Sequence, residues 1–206
     1  MGSEIIEMKT LEQPTAPSIK SRPIYQWPDR LPDAGDYLFV IEPCGRETLS
    51  ELLREQAHER VRILLHHEGN EASSTGADLG PRRTEPAIWK RFEPKLLETL
   101  KESTVGCRLV VIGSEAFLWD VRGFAVAHGL VDEEILLYPM AGQGRRVFCA
   151  HCRTFTEGVH VSPVACTGCG CYLEVRDHFS RRLGAYMGVR VDAEEPGAVP
   201  QQEELN

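Results

Sequence analysis

Seven cysteines occur in this chain of 206 residues, and five of them fall between Cys149 and Cys171. Four make two C-x-x-C pairs, Cys149-Ala150-His151-Cys152 and Cys166-Thr167-Gly168-Cys169, with thirteen residues between them. At that spacing two thiolates can turn their sulfurs toward one point. Two such turns facing each other complete a tetrahedron around a soft or borderline metal. Gly170, directly after the second pair, relieves crowding where backbone amides turn toward the sulfurs. An odd number of cysteines, clustered in this way, reads as metal binding rather than as disulfides. The expected ligands are Cys149, Cys152, Cys166 and Cys169. Cys171 could replace Cys169, although C-x-x-C geometry favours the pairing of Cys166 with Cys169. His151 and His160 lie nearby and could substitute, but they read mostly as supporting or surface groups.

The same donor set serves two chemistries. Zinc would be structural and is favoured by its frequency in paired knuckles. Iron held by four thiolates, as in rubredoxin, would make the chain an electron carrier; Phe148 and Tyr172, flanking the knuckles, leave room for that. Other reactive residue types carry weaker signals. Cys44 stands between a strand and a helix N-terminus, where a thiolate would be stabilised, yet no partner histidine is identifiable and a structural role is expected. Cys107 reads as core. His66 and His67 are strand neighbours on opposite faces, so they cannot easily share an ion. No carboxylate pair, nucleophile–histidine arrangement or intact phosphate loop stands out, and no catalysis is assigned to the chain alone. Arg176, Arg181 and Arg182 make a basic patch in an acidic chain. They read either as a solvated face or as a docking site for an acidic partner, with Phe179, Tyr186 and Met187 as apolar anchors.

These residues need elements to position them. Residues 1–34, rich in proline and polar groups, read as an extended and partly disordered arm that Tyr25 and Trp27 could anchor. From Asp36 onward, apolar runs alternate with helical periodicity. Strands are expected at Tyr37–Ile41, Val61–His66, Leu109–Ile112 and Ile135–Tyr138, and helices at Arg46–His58, Ile88–Glu102 and Glu115–His128. A long loop is expected from Glu68 to Pro86, and Pro94 should sit near the start of the second helix or kink it. Trp89, Phe92, Phe117 and Trp119 should be core or interface. Nearly all-apolar strands alternating with helices predict an α/β domain over residues 35–140, with a parallel sheet covered on both faces. Ala141 to Gly144 reads as a hinge. A four-cysteine module of zinc-ribbon or rubredoxin type, carrying the docking segment, is expected over residues 145–191. An acidic disordered tail should follow at 192–206.

Composition narrows the function. A net charge of -8 and a pI of about 5.4 oppose a partner held through phosphates, so a nucleic-acid-binding zinc ribbon is disfavoured. No apolar run is long enough to span a bilayer and the N-terminus lacks a secretory signal, which makes a cytoplasmic location the default.

Two resemblances extend this reading. The second knuckle runs into Leu173-Glu174-Val175-Arg176-Asp177-His178-Phe179-Ser180-Arg181-Arg182-Leu183-Gly184-Ala185-Tyr186. Two C-x-x-C pairs followed by such a segment resemble the DmmA subunit family of dimethylamine monooxygenase, over about Arg145 to Val191. That family implies a cytoplasmic complex in which a haem-bearing catalytic subunit oxidatively demethylates dimethylamine to methylamine and formaldehyde. A flavin and iron–sulfur reductase subunit would supply electrons from a nicotinamide cofactor. The chain itself would be an accessory subunit. Secondly, Tyr37-Leu38-Phe39-Val40 through Glu51-Leu52-Leu53, with Leu109 to Phe117, resembles the nicotinamide-binding module of ferredoxin-reductase-type proteins. Glu42-Pro43-Cys44-Gly45 departs from the glycine-rich turn of that module: Pro43 has no N–H to donate and Glu42 would repel phosphate. A retained scaffold with nucleotide binding lost is the expectation. The alternative is a free-standing nicotinamide-dependent reductase with a rubredoxin-like iron centre.

Overall fold

The computed structural model describes residues 21–26, 28, 30–55, 61–66 and 87–205. Trp27, His67, the expected loop at 68–86, the side chain of Trp89 and the first twenty residues of the arm lie outside the described residues. The first unit is built from β1 (Tyr37–Ile41), α1 (Arg46–Glu55), β2 (Val61–Leu65), α2 (Ala87–Lys101), β3 (Arg108–Gly113), α3 (Glu115–Ala127) and β4 (Ile135–Pro139). The four strands pair in the order β2-β1-β3-β4, and every pairing is parallel. The expected elements are therefore present, with ends shifted by a residue or two; the last turn expected of α1 lies outside the described residues.

Strand alternation explains why both faces are covered. Leu38 and Val40 of β1 point into one core with Phe92, Leu96 and Leu100 of α2 and Phe117, Leu118 and Val121 of α3. Tyr37, Phe39 and Ile41 point into the other with Leu49, Leu52 and Leu53 of α1 and Leu31 from the arm. Pro94 lies inside α2. Among the described residues no helix is long and apolar enough to cross a membrane.

The second unit holds β5 (Arg145–Cys149), β6 (Phe155–Val159), β7 (Val161–Ser162), β8 (Val164–Ala165), β9 (Tyr172–Ser180), β10 (Ala185–Arg190) and β11 (Glu203–Glu204). Five of these form a sheet in the order β6-β5-β10-β9-β8, with β10 parallel to β5 and the other pairs antiparallel. Two expectations are corrected here. The acidic tail is not unstructured throughout: β11 pairs antiparallel with β7, the Leu205 N–H donates to the His160 carbonyl at 2.8 Å, and Leu205 packs on the second unit's core. The segment at Ala141 to Gly144 is a tight turn rather than a free hinge, because the units on either side of it are fastened together. Arg146 of β5 forms a two-pronged ion pair with Asp120 of α3, both contacts at 2.9 Å, and a third bond to Glu157 at 2.6 Å. Trp119, on the same helix, is buried in the core of the second unit against Phe179.

The arm crosses this junction. Ser21 bridges to β9 beside His178, Arg22 pairs with Asp177 at 2.7 Å, and the Tyr25 hydroxyl donates to Glu115 at 2.6 Å while accepting from the Trp119 indole at 2.8 Å. Tyr25 is thus an anchor, as the sequence suggests.

Candidate metal centre

The two knuckles are copies of one local turn. In the first, the Cys149 N–H donates to the Thr154 carbonyl at 3.0 Å and the Arg153 N–H to the Cys149 carbonyl at 2.9 Å. In the second, the Cys166 N–H donates to the Cys171 carbonyl and the Gly170 N–H to the Cys166 carbonyl, both at 2.9 Å. Arg153 and Gly170, each following the second cysteine of its pair, share a left-handed conformation with φ of 64° and 72°. The first knuckle joins β5 to β6 and the second joins β8 to β9, so the sheet sets the two turns face to face. Their contact is close: a Cβ at Gly168 would collide with the Thr154 hydroxyl, so only glycine fits there.

This arrangement brings Cys149, Cys152, Cys166 and Cys169 together, with all four sulfurs within 4.8 Å of one another. The Cys149–Cys169 and Cys152–Cys166 separations are 3.9 and 3.5 Å. A metal–thiolate bond of about 2.3 Å places tetrahedral ligands roughly 3.8 Å apart, so these spacings match the edges of a metal-centred tetrahedron. They are far longer than a disulfide of about 2.05 Å, and all seven cysteines are free thiols. The donor set therefore fits a zinc or ferrous ion.

Burial and local hydrogen bonds act on these sulfurs in opposite directions. Burial pushes the Cys149 thiol up to about 12, against the backbone N–H groups of Cys152 and His151 that favour its thiolate. Cys166 is likewise raised by burial, against the amides of Cys169 and Gly168. Burial acts in the same direction on Cys152, but the Thr154 hydroxyl and amide and the neighbouring sulfurs outweigh it and bring Cys152 down to about 6. A cation that converts all four to thiolates must therefore displace protons.

The remaining candidates fall as follows. His151 and His160 are exposed, and His151 groups with Cys169 and Cys171. Cys107 is buried, as expected of core, and Cys44 is half-buried in the turn before α1. His66 lies against the rings of Phe92 and Phe117, with centroids 5.1 Å away in each case. Arg176, Arg181 and Arg182 are exposed. Phe179 and Tyr186 are not: they are 7% and 4% exposed, the Phe179 ring packing edge-to-face with Tyr186 and tilted against Trp119. They correct the expectation of surface anchors, because the face of β9 and β10 that bears them is the one turned to α3. The apolar side chains on the outward face are Tyr172 and Met187.

At the C-terminal ends of β1 and β3, where an open parallel sheet reverses its strand order and ordinarily receives a ligand, the chain places its own carboxylate. Glu42 accepts the Ser114 N–H at 2.6 Å, at the N-terminus of α3, and a Cβ at Gly113 would lie 2.6 Å from the same oxygen. The departure from the glycine-rich turn of the resembled module marks Glu42 as a charge that repels phosphate; its hydrogen bond to Ser114 could not be read without the fold.

Residues 17–135 match the N-terminal domain, and residues 146–189 the C-terminal domain, of the family described as dimethylamine monooxygenase subunit DmmA-like. The heme-dependent oxidative N-demethylase delta subunit of Ectopseudomonas mendocina (strain ymp) is 35% identical over 176 residues, which cover 85% of this chain and 91% of that protein. No solved structure matches the chain. Both of its domains are matched in order and most of its length aligns with that subunit, so the chain belongs to the DmmA-like family of dimethylamine monooxygenase subunits.

Proposed function

We propose that this chain is a non-catalytic accessory subunit of a cytoplasmic haem-dependent complex that oxidatively demethylates dimethylamine to methylamine and formaldehyde. The alignment with the delta subunit of an oxidative N-demethylase carries this reading. Its partners are a haem-bearing catalytic subunit and a flavin and iron–sulfur reductase subunit fed by a nicotinamide cofactor. The α/β domain serves as scaffold, derived from a nicotinamide-binding module of ferredoxin-reductase type. Glu42 on the Ser114 amide supports the loss of nucleotide binding, since a carboxylate already satisfies the donor that a phosphate would use. The same contact argues against a free-standing reductase.

Cys149, Cys152, Cys166 and Cys169 hold a zinc ion in this proposal. Its role is to clamp two turns whose shared core is small, a setting in which metal binding supplies folding energy. Docking falls to Arg176, Arg181 and Arg182, with Met187 as the apolar neighbour. Arg176 is paired at 3.3 Å with the exposed Glu174, an arrangement that a partner's carboxylate could replace at little cost.

Co-expression of the chain with the haem and reductase subunits tests the assembly. The three should co-purify, and dimethylamine-dependent nicotinamide oxidation should need all of them. An Arg181→Glu, Arg182→Glu double variant should keep its fold by circular dichroism and lose at least tenfold in affinity. Unchanged assembly would overturn the docking surface, and nicotinamide oxidation by the chain alone would overturn the accessory role. Elemental analysis should return zinc and a colourless chain. Iron with thiolate charge-transfer bands that bleach on reduction would instead make the centre an electron relay to the haem.

A further inference from the structure

Two differences between the matched knuckles change the donor atoms around the centre. Thr154 in the first corresponds to Cys171 in the second, since each accepts the N–H of its knuckle's leading cysteine. His151 in the first corresponds to Gly168 in the second. Around Cys152, then, the chain places a hydroxyl (Thr154) closed over by a bare glycine. Around Cys169 it places a thiol and an imidazole. The donor atoms of His151, Cys169 and Cys171 all lie within 4.8 Å of one another, on the exposed side of the centre.

We propose that His151, Cys169 and Cys171 form a second site for a zinc-type divalent ion, with the Cys169 thiolate bridging it to the ion held by the four cysteines. The site rests on the four-cysteine centre proposed above. Tetrahedral zinc holds two sulfurs about 3.8 Å apart and a sulfur and an imidazole nitrogen about 3.6 Å apart. Side-chain rotation of the exposed His151 and the half-buried Cys171 has to close up to about 1 Å. Two thiolates and one histidine leave the fourth tetrahedral position open to water or an incoming ligand, the pattern of exchangeable rather than structural zinc. Charge favours the second ion too. Four thiolates around one divalent ion leave two net negative charges, which draw a second cation to the exposed side of the centre.

Titration of the metal-free full chain with Co(II), followed by thiolate-to-cobalt charge transfer, tests the proposal. The wild type should take two equivalents, the second at least tenfold weaker. Cys171→Ser and His151→Ala should each stop at one, and that first equivalent certifies that the variant is folded. A wild type that stops at one equivalent overturns the second site and leaves the four-cysteine centre standing. A second equivalent that survives in Cys171→Ser also overturns it, because the ion then binds elsewhere. No uptake at all would overturn the four-cysteine reading itself.

Discussion

Arg153 and Gly170 hold the same left-handed backbone at the same place in the two knuckles, but only one of them is glycine. An L side chain in that region costs about 1–2 kcal/mol, a cost the first knuckle carries at Arg153 and the second avoids at Gly170. Gly170→Ala should therefore lower stability by about 1–2 kcal/mol in a denaturant titration of the metal-loaded chain, with the metal stoichiometry unchanged. Loss of the metal in that variant would mean that the turn, rather than the sulfurs, limits binding. At this scale the sequence is highly legible. Six residues determine a knuckle, so the spacing identifies Cys149, Cys152, Cys166 and Cys169 without reference to the rest of the chain. The direction in which Phe179 and Tyr186 face was hidden, because it depends on which side of their hairpin meets α3. No local pattern records that.

Apolar runs mark the strands of the parallel sheet, but not the polar network that closes one end of it. Asp36 reads in the sequence only as the boundary of β1. In the fold it is 1% exposed and bound to Arg62 of β2 at 2.7 Å, while the Thr104 N–H donates to it at 3.2 Å. Arg62 goes on to the Thr99 carbonyl and the Ser103 hydroxyl, each at 2.6 Å, and so ties β1, β2 and the end of α2 together. These partners are up to 68 residues apart, which is why periodicity cannot pair them. Asp36→Asn leaves the half-buried Arg62 guanidinium without its buried counter-charge and should cost about 3 kcal/mol by urea unfolding. A change below about 1 kcal/mol would show that water reaches Arg62. The arm has a pH-dependent fastening of its own. Burial disfavours the Asp177 carboxylate, yet Arg22 and Arg145 hold its pKa below the ordinary carboxylate range. A depressed folded-state pKa contributes stability that is complete above the ordinary carboxylate value and disappears as pH falls through the lower, folded one. The Ser21 amide, which donates to the Asp177 carbonyl at 2.8 Å, should accordingly lose hydrogen-exchange protection below about pH 4. Asp177→Asn should remove that pH dependence; if the variant keeps it, other carboxylates govern the arm.

On the scale of the whole molecule, the two units share one helix. Successive residues of α3, Trp119 and Asp120, supply an aromatic ring to the core of the second unit and a half-buried carboxylate to Arg146 of β5. Gly184, in the turn before β10, approaches the Trp119 Cβ so closely that an added Cβ would lie 2.9 Å from it. The four-cysteine centre and this junction therefore brace the same five-stranded sheet from opposite ends. The parallel sheet depends on neither, since its two cores are filled by α1, α2, α3 and the arm. Chelation should then divide the molecule unequally. Removing the metal takes away the one strong constraint between the two knuckles, worth about 10 kcal/mol or more in small structural zinc sites, and the core left around Leu173 and Val147 is too small to replace it. Hydrogen exchange after chelation should show protection lost across residues 145–191, while the amides of β1 and β3 stay protected. In an Arg146→Ala variant the same pattern should appear at a lower chelator concentration, because the half-buried ion pair that ties β5 to α3 is lost. If protection vanishes from both units together, the junction at Trp119 couples them into a single cooperative unit and the metal stabilises the whole chain; if it vanishes from neither, the second unit's sheet holds without the metal and the zinc clamp is refuted.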